Sequence, residues 1–157
     1  MRRLILCFFI ALLAGCGFHL RGQVVLPYST LHVSGPSTTS LTNALKRVLA
    51  SSGVRLVDRQ GDAEITLEIL SDVREKSILS LSAAGRAQEY ELRQRVSYRI
   101  ITAREPDLPA GEILSQRSIS YNDAQVLAKE TEENLLYRDM ENDVVQQLLR
   151  RLQAAKK

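Results

Sequence analysis

The alternation of side chains along residues 89–102 is the feature that most restricts how this chain can fold. Successive side chains of a strand point to opposite faces of its sheet, so a period of two indicates a half-buried strand. One face of this segment carries Leu92, Val96, Tyr98 and Ile100, together with Gln94. The other face carries Arg93, Arg95, Ser97 and Arg99. The segment therefore predicts a strand with one face in the core and a basic face in solvent.

The remaining strands are predicted from shorter patterns. Residues 63–69 alternate in the same way, and this strand is expected to continue to Leu81, with a bulge or break near residues 72–77. Gly85 lies among small residues between this strand and the basic one, which predicts the tip of a β-hairpin. Further strands are predicted at residues 30–34, 54–57 and 113–121.

Two segments have the apolar spacing of helices. Residues 37–52 contain one apolar face, with serines and threonines at the start as N-caps and Gly53 as a stop. A second helix is predicted from a cap at Asn122 or Asp123 to about Ala155. Its predicted apolar face contains Leu135, Leu136, Met140, Val144, Leu148, Leu149 and Leu152.

The order of these elements predicts an α+β fold. We expect a mostly antiparallel sheet of about four strands, with two helices packed on one of its faces. A chain of 157 residues that is 45% hydrophobic has the size and composition of one domain with a buried core. The order of the strands and the identity of the edge strand do not follow from these patterns.

The first fifteen residues have the composition of a secretory signal peptide. Two arginines are followed by the apolar run "LILCFFIALL" and then by small residues before Cys16. Such a run forms a helix of roughly 15 Å, about half of a hydrocarbon core, and is too short to span a membrane. Residues 1–15 are therefore predicted to be removed during export. The mature domain would occupy residues 16–157 and begin with a tether at residues 16–29.

Cys16 is the one cysteine of the predicted mature chain, because Cys7 leaves with the signal peptide. A lone cysteine cannot form an internal disulfide. The sequence "LAGC" at residues 13–16 resembles the lipobox of bacterial lipoproteins. The resemblance implies cleavage between Gly15 and Cys16, a diacylglycerol on the thiol and an acyl chain on the new amino group. Three acyl chains anchor a protein stably, and Gly17, where other lipoproteins carry aspartate, implies sorting to the outer membrane.

Catalytic and metal-binding classes find no support in the sequence. Cys16 and His19 are only two candidate ligands, and His32 fits a half-exposed strand residue better than a catalyst. The chain lacks G-x-S-x-G, H-E-x-x-H and a glycine-rich phosphate loop. We therefore expect no enzyme, no metal and no cofactor. Removal of two signal-peptide arginines leaves 21 − 2 = 19 basic against 18 acidic residues, a balance that disfavours nucleic acid as a partner.

The basic face of the long strand is the candidate binding site. Arg93, Arg95 and Arg99 alternate along it, and Arg86 near the hairpin tip adds a fourth cation. A guanidinium group binds phosphate or carboxylate through two hydrogen bonds, so this face could hold an anionic partner. The alternative is an ordinary solvated face whose arginines pair with neighbouring carboxylates, at Glu64, Glu68 and Glu91.

The start of the mature chain, "CGFHLRG" at residues 16–22, is similar to the mature N-terminus of the LptE family, also called RlpB. This is a family of lipopolysaccharide-assembly lipoproteins of the Gram-negative outer membrane. The order of strands and helices agrees with the family, as do the small-residue hairpin before "QEYEL" and the segment "LAKE" at residues 127–130. The resemblance covers most of the mature chain, and its first seven residues are the most specific part.

The resemblance implies a role in lipopolysaccharide transport. Family members lie as plugs in the lumen of the LptD β-barrel, help that barrel to fold, and take part in inserting lipopolysaccharide into the outer leaflet. Such a plug is held by its acyl chains and faces the periplasm. The alternative is a lipoprotein adaptor of another outer-membrane assembly machine, without a lipid ligand, and a lipid-anchored hydrolase is a third class.

The resemblance also implies contacts with the phosphates of lipid A. In the family, the basic residues for this role lie at the hairpin tip and just before the last helix. Lys129 matches the second position, whereas the tip carries Ala83 and Ala84 beside Gly85, with Arg86 as the nearest base. The candidate lipopolysaccharide contacts are therefore Arg86, Arg93, Arg95, Arg99 and Lys129.

Overall fold

The computed structural model describes residues 26–36, 39–102, 109–122 and 125–155. The predicted signal peptide, Cys16, His19 and most of the predicted tether lie outside these residues. The elements confirm the predicted α+β class. In chain order they are β1 (Thr30–Ser34), α1 (Ser40–Ser51), β2 (Arg55–Leu56), a 3₁₀ turn (Gln60–Asp62), β3 (Ile65–Leu81), β4 (Ala87–Thr102), β5 (Gly111–Ser120) and α2 (Val126–Ala154).

The sheet has five strands in the order β2-β1-β3-β4-β5. β1 is parallel to both β2 and β3, whereas β3, β4 and β5 form an antiparallel meander. The expected sheet of about four mostly antiparallel strands is therefore corrected to five strands of mixed direction. The physical reason is α1, because a helix that connects two neighbouring strands returns the chain in the parallel direction.

Both helices cover the same face of the sheet. Leu31 of β1 pairs with Ile65 of β3, and Leu67 of β3 pairs with Ile100 of β4, so their side chains share one face. This face forms a single core cluster with Leu41, Ala44, Leu45 and Leu49 of α1 and with Val144, Val145, Leu148, Leu149 and Leu152 of α2. Leu26, at the end of the predicted tether, is also buried in this cluster.

α1 begins as its sequence predicts. The side chain of Thr39 accepts a hydrogen bond from the backbone N–H of Thr42 at 3.3 Å, which caps the first turn. Gly53 follows the helix with φ of +77°, the left-handed conformation that commonly ends a helix.

α2 differs from its prediction in its first half. The residue at the N-cap position is Gln125, and its side chain makes no capping hydrogen bond. The prediction of Asn122 as the cap is therefore wrong, and Asp123 lies outside the described residues. Leu135 is 53% exposed and Leu136 only half-buried, although both were expected on the core face. The reason is that the fully buried face of α2 begins at Met140, where the helix reaches the apolar part of the sheet.

β3 and β4 form a hairpin that is longer than its neighbours. β1 ends at Ser34, opposite Glu68, and β5 ends at Ser120, opposite Glu89. We call residues 78–87, around the hairpin end, the distal arm. The turn contains Gly85 with φ of +74°, which confirms the predicted tip.

β3 continues to Leu81, as predicted, but its irregularities lie elsewhere than expected. The register with β4 is regular from Ser71 to Ile78, so no bulge lies within residues 72–77. It shifts between Ile69 and Ser71 and again on both sides of Ser80.

Candidate functional site

The arginines of β4 lie on the face of the sheet opposite the helices. Arg93 forms an ion pair with Glu91, and Arg99 lies 3.7 Å from Glu68. Two of the three strand arginines are thus paired with carboxylates, as the alternative interpretation expected. Glu64, the third carboxylate considered, instead accepts a hydrogen bond from the backbone N–H of Ser29 at 3.0 Å.

Arg95 occupies the middle of this open face. It is cross-strand from Val73 on β3 and from Leu114 on β5, and both aliphatic side chains are 44% exposed. Within the described part of the chain Arg95 makes no ion pair. The centre of the face therefore combines an accessible guanidinium group with two aliphatic neighbours.

The other two candidate cations lie at the hairpin end. Arg86 is exposed and closes the turn, where its carbonyl accepts a hydrogen bond from the N–H of Ser82 at 2.7 Å. Lys129 lies at the start of α2 and donates to Ser120 at 3.1 Å and to Glu132 at 2.8 Å. Its side chain is only 16% exposed, so an anion must compete with Glu132 for the ammonium group.

The five predicted cations do not form one pocket. Arg86 and Arg99 are thirteen positions apart in the sequence, or about 43 Å along an extended chain. Lys129 donates to Ser120, and Ser120 is paired with Glu89 of β4, so Lys129 lies near the hairpin end. The structure therefore places the candidates in two groups, one at the hairpin end (Arg86 and Lys129) and one along the open face (Arg93, Arg95 and Arg99).

A row of ion pairs joins β3 and β5 to α2, and the sequence did not reveal it. Lys76 contacts Glu133 at 2.6 Å, Arg74 contacts Glu141 at 2.6 Å, and Arg117 of β5 pairs with Asp143. We call these three contacts the helix clamp. The i, i+8 spacing of Glu133 and Glu141 was the one available signal, since it places both carboxylates near one face of a helix.

Aromatic rings pack against the cations of the clamp. The ammonium group of Lys76 lies 4.5 Å from the ring centre of Tyr90, and the guanidinium group of Arg74 lies 5.3 Å from that of Tyr137. Cations over aromatic faces are attracted by the ring quadrupole. The hydrogen bond with Glu133 raises the pKa of Lys76, and burial raises the pKa of Tyr137.

The distal arm carries aliphatic side chains with no apolar cover. Ile78 is 56% exposed, Leu79 is 52% exposed and Leu81 is 57% exposed. Sequence reasoning placed Ile78 and Leu81 on a strand but did not single them out as a surface. The segment "SILSLSAAG" contains these aliphatic residues, but its sequence does not indicate whether a helix covers them.

His32 is the remaining candidate residue that the structure describes, and it shows no catalytic arrangement there. His32 is half-buried, and its Nδ1 lies 2.9 Å from the carbonyl of Val57. A cleft of about 290 Å³ beside it is lined by Lys46 and Asp58. The described residues contain no cluster of three or more metal-ligating side chains. In the same part of the chain, no helix has the length and hydrophobicity needed to cross a bilayer.

The fold and these surfaces define a small α+β domain with one helix-covered and one open sheet face, whose exposed groups suit binding. A family model described as "LptE: Lipopolysaccharide-assembly" matches residues 28–152. The chain therefore belongs to the LptE family, which confirms the resemblance to this family.

Individual relatives agree with this assignment. The chain is 29% identical over 153 residues to the LPS-assembly lipoprotein LptE of Pectobacterium atrosepticum, covering 95% of this chain and 83% of that protein. It is also 29% identical over 143 residues to the protein of the same name from Yersinia enterocolitica, covering 88% and 69%. These names indicate no catalytic activity.

Solved structures show the same fold. The solution structure of lipoprotein B from Nitrosomonas europaea superposes with a TM-score of 0.76 at 39% identity, covering 88% of this chain and 91% of that one. The crystal structure of rare lipoprotein B from Shewanella oneidensis gives a TM-score of 0.71 at 26% identity, covering 81% and 96%.

Proposed function

We propose that this protein is an outer-membrane lipoprotein, anchored through acyl chains on Cys16, that takes part in inserting lipopolysaccharide into the outer leaflet. In this proposal residues 1–15 are the signal peptide and residues 16–157 the mature protein. The protein plugs the lumen of the LptD β-barrel, facing the periplasm, and helps the barrel to assemble. The observation that carries the proposal is the family match over residues 28–152.

The surfaces of the domain are compatible with a plug. Two helices cover one sheet face, whereas the other presents charged and polar side chains together with the exposed aliphatic side chains of Val73 and Leu114. Such a surface can lie against the polar interior of a large barrel without burying an extended apolar patch. We propose no metal, cofactor or nucleic acid as a partner.

The first experiment is isolation of the protein from detergent-solubilised outer membranes through an affinity tag. We expect a large β-barrel of the LptD type at one copy per lipoprotein. A Cys16→Ala variant tests the anchor, because it should carry no acyl chains, which mass spectrometry of the purified protein measures. Recovery with a different assembly machine, and with no such barrel, would favour the adaptor alternative.

We further propose that Arg86, Arg93, Arg95, Arg99 and Lys129 contact lipid A phosphates. Replacing all five by Ala should weaken lipopolysaccharide binding while the circular dichroism spectrum is kept, and binding should fall as salt is added. A matched control removes five exposed cations elsewhere, at Lys46, Arg47, Arg55, Arg59 and Arg150. Equal losses in the two variants would mean that overall charge, rather than these positions, governs binding.

The two groups of cations can be separated. Arg86→Ala with Lys129→Ala removes the hairpin-end group, whereas Arg95→Ala removes the open-face residue that no described carboxylate neutralises. We expect Arg93→Ala and Arg99→Ala to have smaller effects, since the guanidinium group of each is paired with Glu91 or Glu68.

A further inference from the structure

The two edges of the sheet differ in length and regularity. β2, at one edge, has only two residues. β5, at the other edge, has ten residues, and its register with β4 runs without a shift from Gly111 to Ser120. Within the described residues, no strand pairs with the outer side of β5. The sheet therefore has one long and regular open edge.

Alternate backbone groups of β5 point away from the sheet. The N–H of Tyr121 donates to the carbonyl of Gln88 at 2.8 Å, which identifies this pair as hydrogen-bonded. In an antiparallel ladder, such pairs alternate with residues whose N–H and C=O groups point to the other side. Along the continuous register, the outward positions are Glu112, Leu114, Gln116, Ser118 and Ser120. The guanidinium group of Arg117 donates to the carbonyl of Gln116 at 2.8 Å, which agrees with this assignment.

β5 lacks the features that usually keep an exposed edge unpaired. Natural sheet edges are protected by lysine, by proline, by bulges or by very short strands. Residues 111–120, "GEILSQRSIS", contain no lysine and no proline, and their register contains no bulge. Of their two charged residues, Arg117 pairs with Asp143 of α2 and Glu112 lies at the start of the strand. β2 has such protection in its shortness, whereas the edge of β5 is open to pairing.

We propose that β5 binds an extended segment of the protein's polypeptide partner, which adds to the sheet as a sixth strand. The inference rests on the proposed function and names the surface through which the partner barrel holds this domain. In strand addition, main-chain hydrogen bonds supply affinity and alternate side chains supply specificity. The wall strands of a closed barrel are already paired on both sides, so the segment belongs to a part of the partner outside its wall.

The side chains of β5 indicate what this segment contains. All five outward positions are exposed, and their side chains lie on the open face of the sheet. Leu114 is 44% exposed and lies in one row with Arg95 and Val73. Cross-strand aliphatic pairs stabilise a sheet, so the residue opposite Leu114 should be aliphatic. The positions from Gln116 to Ser120 are uncharged on this face and accept polar side chains.

A second copy of the chain fits this edge less well than a partner segment. Symmetric pairing of two β5 strands requires outward positions to face each other, and the two registers with the greatest overlap place Ser118 or Gln116 opposite Leu114. Neither residue covers the leucine. A stable dimer interface also involves roughly twenty or more residues on each side, and the ten-residue edge is too small by itself.

The first test removes one outward N–H group. Ser118→Pro deletes this donor and keeps the pairing with β4, because an edge strand tolerates proline where its N–H side faces solvent. Ser118→Ala is the matched control, since it removes the hydroxyl and keeps the N–H. Both variants, tagged, are isolated from detergent-solubilised outer membranes. Recovery of the barrel with Ser118→Pro should fall by about tenfold or more, and recovery with Ser118→Ala should equal that of the unsubstituted chain.

Amide hydrogen exchange gives a second measurement that does not depend on a substitution. In the free mature chain with Cys16→Ser, the outward amides of Leu114, Gln116 and Ser118 should exchange fast, and the ladder amides of Ser115 and Arg117 slowly. In the isolated complex of the unsubstituted chain, all five should exchange slowly. Mass spectrometry with fragmentation to single residues measures both states. Outward amides that exchange equally fast in the complex and in the free chain would overturn the proposal.

The inference and the proposed function can fail separately. If Ser118→Pro recovers the barrel as well as Ser118→Ala, and the outward amides stay fast in the complex, strand addition is wrong and the proposed function stands. If the unsubstituted chain recovers no barrel, the proposed function is wrong and the inference falls with it. If the free chain sediments as a dimer that Ser118→Pro dissociates, the occupant is a second copy and the proposed partner segment is wrong.

Discussion

The two ends of β3 contain similar side chains in opposite environments. Near its start, Leu67 and Ile69 are at most 2% exposed beneath the two helices. Near its end, Ile78, Leu79 and Leu81 are more than half exposed. The two ends differ in what covers the strand. Both helices pack over the start of β3 as part of the core, whereas no helix residue is in the core cluster with the side chains at its end. Aliphatic composition alone therefore does not distinguish a folding core from an exposed surface.

The helix clamp lies between these two ends. It holds the middle of α2 against β3 and β5 through ion pairs and ring contacts instead of a continuous apolar interface. A small satellite cluster, formed by Leu92, Ile119 and Met140, is the apolar part of this region. The protein thus changes from apolar to polar packing along a single hairpin.

The largest expected difference between the two ends is in stability. Leu67→Ala should lower the free energy of unfolding by about 3 kcal/mol, because it removes a fully buried side chain and leaves a cavity. Leu79→Ala should change it by less than about 0.5 kcal/mol, as is usual for an exposed position. Urea unfolding measures both, and equal losses would contradict the assignment of the arm as a surface outside the core.

Two glycines allow a second comparison between the core and the distal arm, with an expected difference in stability of intermediate size. Gly35 has φ of +149°, and a Cβ atom there would lie 2.9 Å from both the Cβ and the carbonyl oxygen of Ile69. Gly35→Ala should therefore cost about 3 kcal/mol, from backbone strain and a steric clash together.

Gly85, at the arm, has φ of +74° with open space around it. Gly85→Ala should cost about 1 kcal/mol, from the left-handed backbone alone. Thermal unfolding of the two variants under one buffer condition provides the measurement. The reverse order would show that the distal turn is packed more tightly than the β1–α1 connection.

The smallest expected effect concerns the clamp at alkaline pH. The pKa of Lys76 is raised above 10.5, first by its hydrogen bond with Glu133, and that of Tyr137 is raised above 10.0, first by burial. A group whose folded pKa is raised binds its proton more tightly in the native state, so stability should fall as the pH rises past about 10.

The Lys76–Glu133 contact is partly exposed, and screening by solvent limits its contribution to about 0.5 kcal/mol. Urea midpoints measured between pH 8 and 11 should fall less steeply for the Lys76→Gln, Tyr137→Phe double variant. The pH dependence of stability that remains in the double variant should come partly from Tyr28, whose pKa is also raised by burial. An identical pH profile in the double variant would show that the clamp contributes nothing measurable.

The sequence predicted those parts of the fold that depend on local periodicity. The faces of β4, the tip at Gly85 and the core residues of α1 are confirmed, because period and turn chemistry act over a few neighbouring residues. The parallel direction of β1 and β2 was not predicted. Pairing between strands 25 residues apart depends on the path of the intervening chain, which leaves no mark in either short strand.

The sequence placed three of the candidate cations on one strand face, but it did not give their partners. The alternation of Arg93, Arg95 and Arg99 correctly placed them on one face, yet the pairing of two of them with Glu91 and Glu68 required the register of the sheet. Leu135 was expected in the core because helical spacing identifies an apolar face without specifying where the neighbouring sheet stops being apolar.

α2 follows all five strands in the sequence, and this order determines when the core can close during synthesis. The core joins Leu26 to Leu152, and the hydroxyl of Ser40 donates to Glu141, 101 residues further along the chain. Contacts between residues so distant in sequence form late, because a long loop must close first. A nascent chain that ends before Met140 has one helix for a sheet that needs two, and it exposes Val96 and Ile113 to water. Truncation before Leu148 would therefore expose core residues that lie more than a hundred positions earlier in the chain.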